Sequence, residues 1–381
     1  MMMSEVKNKR AVLISCFDWY DTRLKPIRDI LIEMGYEVTV LTSDYDHIRK
    51  EPVIKKNDKC TYIHVKRYKK NISFNRLESH YKFSKAVFRK ILTIQPDLLY
   101  ALIPPNSVAN ICRQYKIRYP NVKLVFDIID MWPESMPGEK LHRTLPFLYW
   151  KNLRDKSLRH ADHIFTECNL YRDRFNTDTK KISSTLYLFK NANTVIGDIS
   201  ANTEVGMIYK QKLILCYLGS INSIIDINGI CCVVGSLCKS YNVEVRVIGK
   251  GESKDKFLEM LNKTGAKIKY YGAIFDDYEK ANILCECDYA FNMMIESVKV
   301  GLSIKSIDYL SYGIPLINNL KGDTWDIIEK EKIGINISQD TVISRLPSID
   351  RKRVLNVYNA YFSEEAFRSV VKKELEKIIY D

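Results

Sequence analysis

The stretch from Asp288 to Ile317 combines residues that could bind a nucleotide diphosphate. Its pattern predicts a buried strand, a small-residue loop and a helix that ends before Pro315. The loop contains Gly301, Leu302 and Ser303, and the helix carries Lys305 and Asp308. A helix start offers unpaired main-chain N–H groups and a positive dipole end, which suit a diphosphate. A carboxylate such as Asp308 could accept hydrogen bonds from the vicinal hydroxyls of a ribose.

Several of these residues also have simpler interpretations. Lys305 and Asp308 are spaced for an ion pair on one helix face. Glu296 could bond a donor sugar or could be an exposed loop carboxylate. Gly249-Lys250-Gly251 follows a predicted strand and indicates a tight turn lining a base pocket, although a lone Gly-x-Gly is not a dinucleotide fingerprint. Gly219, which ends another strand, is assigned to the same donor site.

The first half of the chain offers candidates for an acceptor site. The carboxylates of Asp127 and Asp130 flank the end of a predicted strand, where α/β proteins place ligand groups. We expect Asp130 to orient or deprotonate an acceptor hydroxyl, with Glu134 as the next candidate. Asp130 could instead cap the following turn. Trp132 could stack on a sugar face or only seal a cleft.

Composition narrows the possible partners. The chain has 381 residues, 46% of them hydrophobic and 28% charged, which fits two globular domains. A net charge of +13 favours an anionic membrane surface or phosphorylated substrates, because no nucleic-acid-binding motif is present. A lysine-rich surface can also reflect genome bias alone. The apolar run after the charged N-terminus is too short for a signal peptide, and no transmembrane helix is expected.

No metal or cofactor site is expected. The ten cysteines contain no CxxC pair, and the six histidines lack the spacing of metal ligands. Buried free thiols fit a reducing cytosol. Asp44-Tyr45-Asp46 resembles a metal-binding DxD motif, but it follows the second strand of a predicted Rossmann unit, so we assign it no metal.

Short apolar strands alternate with helical patterns along most of the chain, which predicts parallel α/β sheets. The predicted strands are Ala11–Phe17, Glu37–Thr42, Tyr62–Arg67, Asp97–Ile103, Lys123–Ile128, His163–Glu167, Ser184–Phe189, Leu213–Leu218, Val243–Ile248, Lys267–Tyr271 and Asp288–Met293. The predicted helices are Leu24–Met34, Ser79–Leu92, Ser107–Tyr115, Pro146–His160, Gly229–Ser240, Lys254–Asn262 and Ser363–Ile379.

The alternation divides into two sets. Residues 191–211 lack periodicity and are predicted to be the linker. We therefore expect two Rossmann-like domains facing across a cleft: an acceptor domain at 1–200 and a donor domain at 212–360. A C-terminal helix at 363–381 is expected to pack back towards the first domain.

The ordered motifs resemble those of a GT-B-fold glycosyltransferase of retaining family 4. They are LCYLGSI, VRVIGKGE, IKYYGAI, LCECDYAFN and GLSIKSIDYLSYGIPLI in the second half, with DIIDMWPES and HADHIFTEC in the first. Asp308 stands where that family usually has Glu, and Lys305 where one subgroup has Lys. DIIDMWPES resembles a strand-end motif of family members that build bacterial capsule, exopolysaccharide or lipopolysaccharide. HADHIFTEC resembles the helix–strand segment that follows that motif.

The resemblance implies metal-independent transfer, with retention, from a nucleotide-diphosphate sugar to a lipid-linked glycan at the cytosolic membrane face. We expect the nucleotide to be UDP. The assigned catalytic residues are Asp130, Glu134 and Lys305. The chain departs from the family where Ser220 and Asn228-Gly229 replace two diphosphate-binding cations, and the loop from Asp18 to Arg23 lacks a Gly-Gly pair. Two alternatives therefore stay open: a non-catalytic partner subunit and a UDP-sugar 2-epimerase.

Overall fold

A computed structural model describes residues 9–17, 21–47, 49–54, 56–70, 73–136, 143–190, 211–298, 300–338 and 343–380. The chain forms two compact units. The first comprises the residues up to Tyr187 together with those from Arg368 onward, and the second is Leu188–Phe367. Nearly all of the predicted linker, and part of the loop between Asp18 and Arg23, lie outside the described residues.

The first unit is built on a parallel sheet. Its strands are β1 (Lys9–Ser15), β2 (Tyr36–Ser43), β5 (Cys60–Ile63), β6 (Leu98–Ile103), β7 (Lys123–Ile128), β8 (His163–Thr166) and β9 (Ser183–Thr185), with the short pair β3 (Tyr45–Asp46) and β4 (Glu51–Pro52) beside them. The sheet order is β5-β2-β1-β6-β7-β8-β9. Every residue of β6 is buried, as expected for a strand covered on both faces.

Helices connect these strands. They are α1 (Asp21–Glu33), α2 (Phe74–Ile94), α3 (Asn106–Arg118), α4 (Leu145–Leu158), α5 (Asn169–Arg172) and α6 (Thr177–Lys181). The apolar sides of α2 and α3 pack into one core with β1, β6 and β7, through residues such as Phe83, Val108 and Phe126. The sheet thus holds the loops that follow β7 and β8 at one edge.

The second unit has a parallel sheet in the order β12-β11-β10-β13-β14-β15. Its strands are β10 (Lys212–Leu218), β11 (Asn242–Ile248), β12 (Lys267–Gly272), β13 (Tyr289–Asn292), β14 (Leu316–Asn318) and β15 (Gly334–Asn336). Its helices are α7 (Ile227–Leu237), α8 (Lys254–Asn262), α9 (Asp277–Leu284), α10 (Ile304–Ser311), α11 (Asp323–Glu331) and α12 (Arg351–Phe362). The last helix, α13 (Glu364–Tyr380), belongs to the first unit from Arg368 onward.

The order of each sheet reverses beside its first strand. In the second unit the chain runs outward from β10 to β12 and then returns to β13 on the other side of β10. At such a switch point the loops after two neighbouring strands diverge and leave a crevice in which open α/β sheets bind ligands. The loops after β10 and β13 are therefore where a site is expected.

Most predicted elements are confirmed, some with the same bounds, such as Lys123–Ile128 and Lys254–Asn262. The strand predicted at Tyr62–Arg67 is wrong beyond Ile63. There the carboxylate of Asp44 replaces a neighbouring strand, accepting from the Val65 N–H at 3.1 Å and contacting His64 Nδ1 at 2.8 Å. The sequence interpretation missed α5, α6, α9, α11, α12 and β15, together with the short pair β3 and β4.

Candidate functional site

The loops after β10 and β11 approach each other more closely than any side chain allows. A Cβ added to Gly249 would lie 1.9 Å from the main-chain oxygen of Gly219. One added to Gly251 would lie 2.1 Å from that of Ile221. Main-chain hydrogen bonds join the loops, from Gly219 N to Ile248 O and from Ile221 N to Lys250 O, each 2.9 Å. Gly249 and Gly251 permit this contact because neither carries a Cβ.

Lys305 lies against this pair of loops. Its Nζ donates to Tyr217 Oη at 2.7 Å and lies 4.6 Å from the centre of the tyrosine ring. Its Cε would be 3.0 Å from a Cβ on Gly219. Burial lowers the pKa of Lys305 to about 8, and no carboxylate in the described part of the chain pairs with it. A largely buried cation without a counter-ion favours binding of an anion.

Lys305 belongs to the first turn of helix α10, whose start offers further groups for an anion. Ser303 caps this helix, its Oγ accepting from Ser306 N at 3.1 Å. The main-chain N–H groups of Ile304 and Lys305 make no hydrogen bond within the described residues. Gly301 turns its carbonyl to Thr324, accepting from the N–H at 2.9 Å and from the hydroxyl at 3.1 Å. The capped helix start thus keeps two donors for an outside acceptor.

An asparagine ladder holds the cap in place. Ser303 Oγ donates to Asn292 Oδ1 at 2.7 Å, and Asn292 donates to Asn318 at 2.7 Å. Asn318 donates to Asn336 at 2.8 Å. The three asparagines end β13, β14 and β15 in register. The sequence interpretation missed this ladder, although an asparagine at the end of each strand was a visible signal.

Asp308 carries an ion pair, but with a different partner from the one its spacing suggested. The ammonium of Lys190 bonds Asp308 Oδ1, so the alternative of a Lys305–Asp308 pair is wrong. Lys305 bonds Tyr217 instead. Asp308 Oδ2 makes no hydrogen bond among the residues described here. That oxygen can still accept from a ligand hydroxyl.

The remaining donor-site candidates lie around this centre. Leu302 is buried beneath the helix start. Glu296 is exposed in the turn after β13, and that turn is tied to the loop after β10 by a bond from Ile295 N to Ile224 O of 3.0 Å. A sugar-binding role for Glu296 and a base-pocket role for the Gly249–Gly251 turn stay predictions.

A carboxylate occupies the start of helix α7, near the position where the resembling family often has a cation. Asp226 Oδ1 accepts from Gly229 N at 2.8 Å, and Asn319 donates to Oδ2 at 3.0 Å. A Cβ on Gly229 would lie 2.3 Å from Asp226 Oδ2. This negative cap disfavours an anion at α7, which leaves the start of α10 as the better anion site.

In the first unit two carboxylates, one buried and one partly buried, are already paired with arginines. Asp127 forms a two-bond fork with Arg23, both distances 2.8 Å, and accepts from Tyr100 Oη at 2.8 Å. Glu134 forms a similar fork with Arg154, also with two bonds of 2.8 Å. Burial would raise the pKa of Glu134, but the hydrogen bonds from Arg154 outweigh it and lower that pKa. Both oxygens of Glu134 are therefore engaged in the ion pair.

Asp130 and Glu167 are placed differently, at the adjacent ends of β7 and β8. Glu167 N donates to Ile128 O at 3.0 Å, and Asp130 accepts from Ser135 Oγ. Burial raises the pKa of Asp130, and burial raises that of Glu167 to about 7, with the charges of Asp130 and Asp127 adding to the effect against Arg23. The sequence interpretation missed Glu167, although it follows its strand at the edge that Asp130 occupies.

Charged and aromatic side chains contact the ring of Trp132. The Arg76 guanidinium lies 4.5 Å from its ring centre, and His80 stacks at 6.1 Å with an interplanar angle of 21°. These contacts favour a cleft-sealing role over a sugar platform.

No protein-family model matches the sequence, and no curated protein is similar enough to match it. The structure, however, resembles solved ones over its whole length. Sucrose-phosphate synthase from Thermosynechococcus elongatus has 14% identity and a TM-score of 0.67, covering 98% of this chain and 99% of its own. The lipopolysaccharide outer core galactosyltransferase WaaB has 11% identity and a TM-score of 0.65, covering 98% and 99%. The chain has the GT-B fold.

A third neighbour of the same fold was solved with ligands. Anabaena HepE in complex with UDP has 12% identity and a TM-score of 0.60, covering 97% of this chain and 100% of its own. In this GT-B chain, no described helix is both long and apolar enough to cross a bilayer. Its described histidines, cysteines and carboxylates form no group of three suited to a metal ion.

The loop contact can be tested with two glycines of positive φ. Gly249→Ala should lower the free energy of unfolding by about 3 kcal/mol or more, because its Cβ meets the Gly219 carbonyl. Gly265→Ala is the matched control: its φ of +87° adds strain but nothing lies within 4 Å, so about 1 kcal/mol is expected. Equal losses in urea denaturation would contradict the close approach.

Proposed function

We propose that this protein is a glycosyltransferase that uses a nucleotide-diphosphate sugar, most simply a UDP-sugar. One observation carries the proposal: the largely buried ammonium of Lys305 has no carboxylate partner among the described residues. It lies beside two main-chain N–H groups at the start of α10 that bond none of those residues. Asp308 lies one helical turn further along α10, on the same face as Lys305. The GT-B neighbour HepE, which was crystallised with UDP and with UDP-glucose, supports a uridine donor.

The proposed chemistry is stabilisation of the leaving group. As the bond from sugar to diphosphate breaks, negative charge builds on the diphosphate, and Lys305 with the helix-end N–H groups opposes it. These charges provide stabilisation without a metal, as the family resemblance implies. The acceptor hydroxyl attacks the face that the leaving group departs from, which gives retention without an enzyme nucleophile. Asp130 orients that hydroxyl, with Glu134 fixed nearby by Arg154.

The proposed acceptor is a lipid-linked glycan of a surface polysaccharide, reached at the cytoplasmic face of the membrane. Helices α2 and α4 both begin at the carboxyl edge of the first sheet and expose large apolar side chains there. These are Phe74, Leu77 and Tyr81 on α2, and Leu145, Leu148 and Tyr149 on α4. The basic cluster Lys66, Arg67, Lys69 and Lys70 precedes α2. Exposed apolar groups beside cations are suited to an anionic membrane surface.

A non-catalytic partner subunit is the second candidate. Ser220 and the Asp226-capped start of α7 replace the two cations of the resembling family. Such a protein would bind UDP but would release none from a UDP-sugar in the presence of acceptor. Nothing in the described site favours a UDP-sugar 2-epimerase, which would convert its substrate without an acceptor.

The charge of Lys305 predicts how nucleotide binding depends on pH. Its lowered pKa of about 8 means that the free protein loses this proton as the pH rises through 8. UDP favours the ammonium, so its dissociation constant should rise between pH 7.5 and 9.5, by up to about tenfold per unit. Titration calorimetry of wild type and Lys305→Met checks this. The variant should bind weakly with little pH dependence; an unchanged profile would exclude Lys305 from the site.

Asp308 predicts selectivity for the ribose. Asp308→Ala should raise the dissociation constant of UDP about tenfold, because a charged acceptor for a hydroxyl is lost. The constant for 2′,3′-dideoxy-UDP should change less than twofold, since that nucleotide has no hydroxyl to offer. The same calorimetry checks both ligands. Equal losses for the two nucleotides would remove Asp308 from ribose recognition.

Asp130 predicts a separation of transfer from donor binding. Asp130→Asn should lower UDP release from UDP-glucose about 100-fold, with a lipid-linked glycan extract as acceptor, because general base catalysis is typically worth that much. UDP binding should stay within twofold. Glu167→Gln, measured between pH 6 and 8, shows whether the group with the pKa of about 7 contributes. Unaltered transfer by Asp130→Asn would end the acceptor role of that residue.

A further inference from the structure

Lys190 is fixed in place by its main chain. Its N–H donates to Phe362 O at 3.1 Å, and its carbonyl accepts from Tyr358 Oη. Both partners belong to helix α12, and the ring of the preceding Phe189 packs on Phe367 with centroids 5.0 Å apart. Tyr358 and Phe362 are themselves buried. The direction in which the Lys190 side chain leaves the main chain is therefore set by the core of the second unit.

That side chain ends on Asp308 and leaves bonding capacity on both groups. The ammonium bonds Oδ1 only. A carboxylate has about four acceptor positions and an ammonium has three donors, so each can still bond a ligand. The side chains are 33% and 17% exposed, which leaves the pair reachable from solvent. The described residues offer Oδ2 no donor.

Asp308, the helical member of the pair, lies on the same face of α10 as Lys305. Lys305 and Asp308 are three residues apart on α10, so they project from one side of it. Lys305 turns away to Tyr217, and Lys190 supplies the cation at Asp308 instead. Along α10, the proposed diphosphate site at Lys305 is therefore followed by Asp308 with the ammonium of Lys190 bonded to it.

We propose that Lys190 is a positioning residue for nucleotide recognition and that Lys190 and Asp308 read the ribose together. Lys190 holds Oδ1 of Asp308, so that Oδ2 faces a ribose hydroxyl. A second ammonium hydrogen donates to the oxygen of the neighbouring hydroxyl. A vicinal diol meets one acceptor and one donor, which a single carboxylate does not provide. This inference rests on the proposed function, because it takes Asp308 as the ribose ligand.

Other roles for Lys190 predict different changes in nucleotide binding. If Lys190 were a latch that blocks Asp308, removing it would free the carboxylate, and UDP would bind more tightly. If the pair were only structural, UDP and its dideoxy analogue would be affected alike. The ratio of their dissociation constants therefore separates the three roles.

Titration calorimetry of the full-length chain with UDP and 2′,3′-dideoxy-UDP, in about 150 mM salt to screen long-range charge, tests the proposal. Lys190→Met should raise the dissociation constant of UDP about tenfold and that of the dideoxy analogue less than twofold. Lys190→Arg should recover much of the discrimination, since it keeps a donor and a charge. Lys330→Met is the matched control: Lys330 lies in the same unit, pairs with Glu331 at 3.2 Å, and its loss changes the net charge equally.

Each result decides the question. Tighter UDP binding by Lys190→Met, equal losses for both nucleotides, or wild-type discrimination would overturn the proposal. The melting temperature of Lys190→Met shows whether that variant folds. If it does not fold, Lys190→Arg alone tests the proposal. A folded Lys190→Arg that no longer discriminates between the two nucleotides would overturn the proposal. A wild-type chain that binds no UDP would overturn the proposed function itself, whereas wild-type binding with an unaffected Lys190→Met would overturn this inference only.

Discussion

The close approach of the loops after β10 and β11 constrains the whole candidate donor site. The Gly219 carbonyl occupies the space that a side chain at Gly249 would need. Because the loops are pressed together there, the stem of Lys305 can lie along Gly219 and bring its ammonium to Tyr217. A larger residue at Gly219 would push the lysine out of its pocket. The contact with Gly219 thus contributes to the burial that lowers the pKa of Lys305.

The carboxylates of the first unit show how packing separates structural from reactive groups. Asp127 and Glu134 each face an arginine fork, so their charges are compensated and their oxygens are used. Asp130 and Glu167 lie at the same sheet edge without such a partner, and burial raises the pKa of each. A proton acceptor near neutral pH needs a carboxylate of the second kind. This contrast favours Asp130 over Glu134 for the acceptor hydroxyl.

Local pattern predicted the fold well, because alternating apolar runs and helical periodicity are properties of neighbouring residues. Lys254–Asn262 was placed to the residue, and the helix of Lys305 and Asp308 was found where its glycine and proline signals put it. The partner of Asp308 was not predictable in this way. Spacing pointed to Lys305, three residues away, but Lys190 is 118 residues distant and reaches Asp308 only because α12 fixes its main chain. The asparagines themselves could be seen in the sequence, but their bonds to one another depend on the pairing of the strands that they end.

The arrangement of charge around α10 bears on the two missing cations. Lost cations suggest a degenerate protein only if nothing replaces them. In the second unit Asp226 caps the start of α7 with a carboxylate. At α10 lie Lys305, the ammonium of Lys190 on Asp308, and two N–H groups that bond no described residue. The start of α10 is therefore the better of the two helix starts for an anion. A diphosphate held there would have its charge opposed at the position where the bond to the sugar breaks, which is what transfer requires.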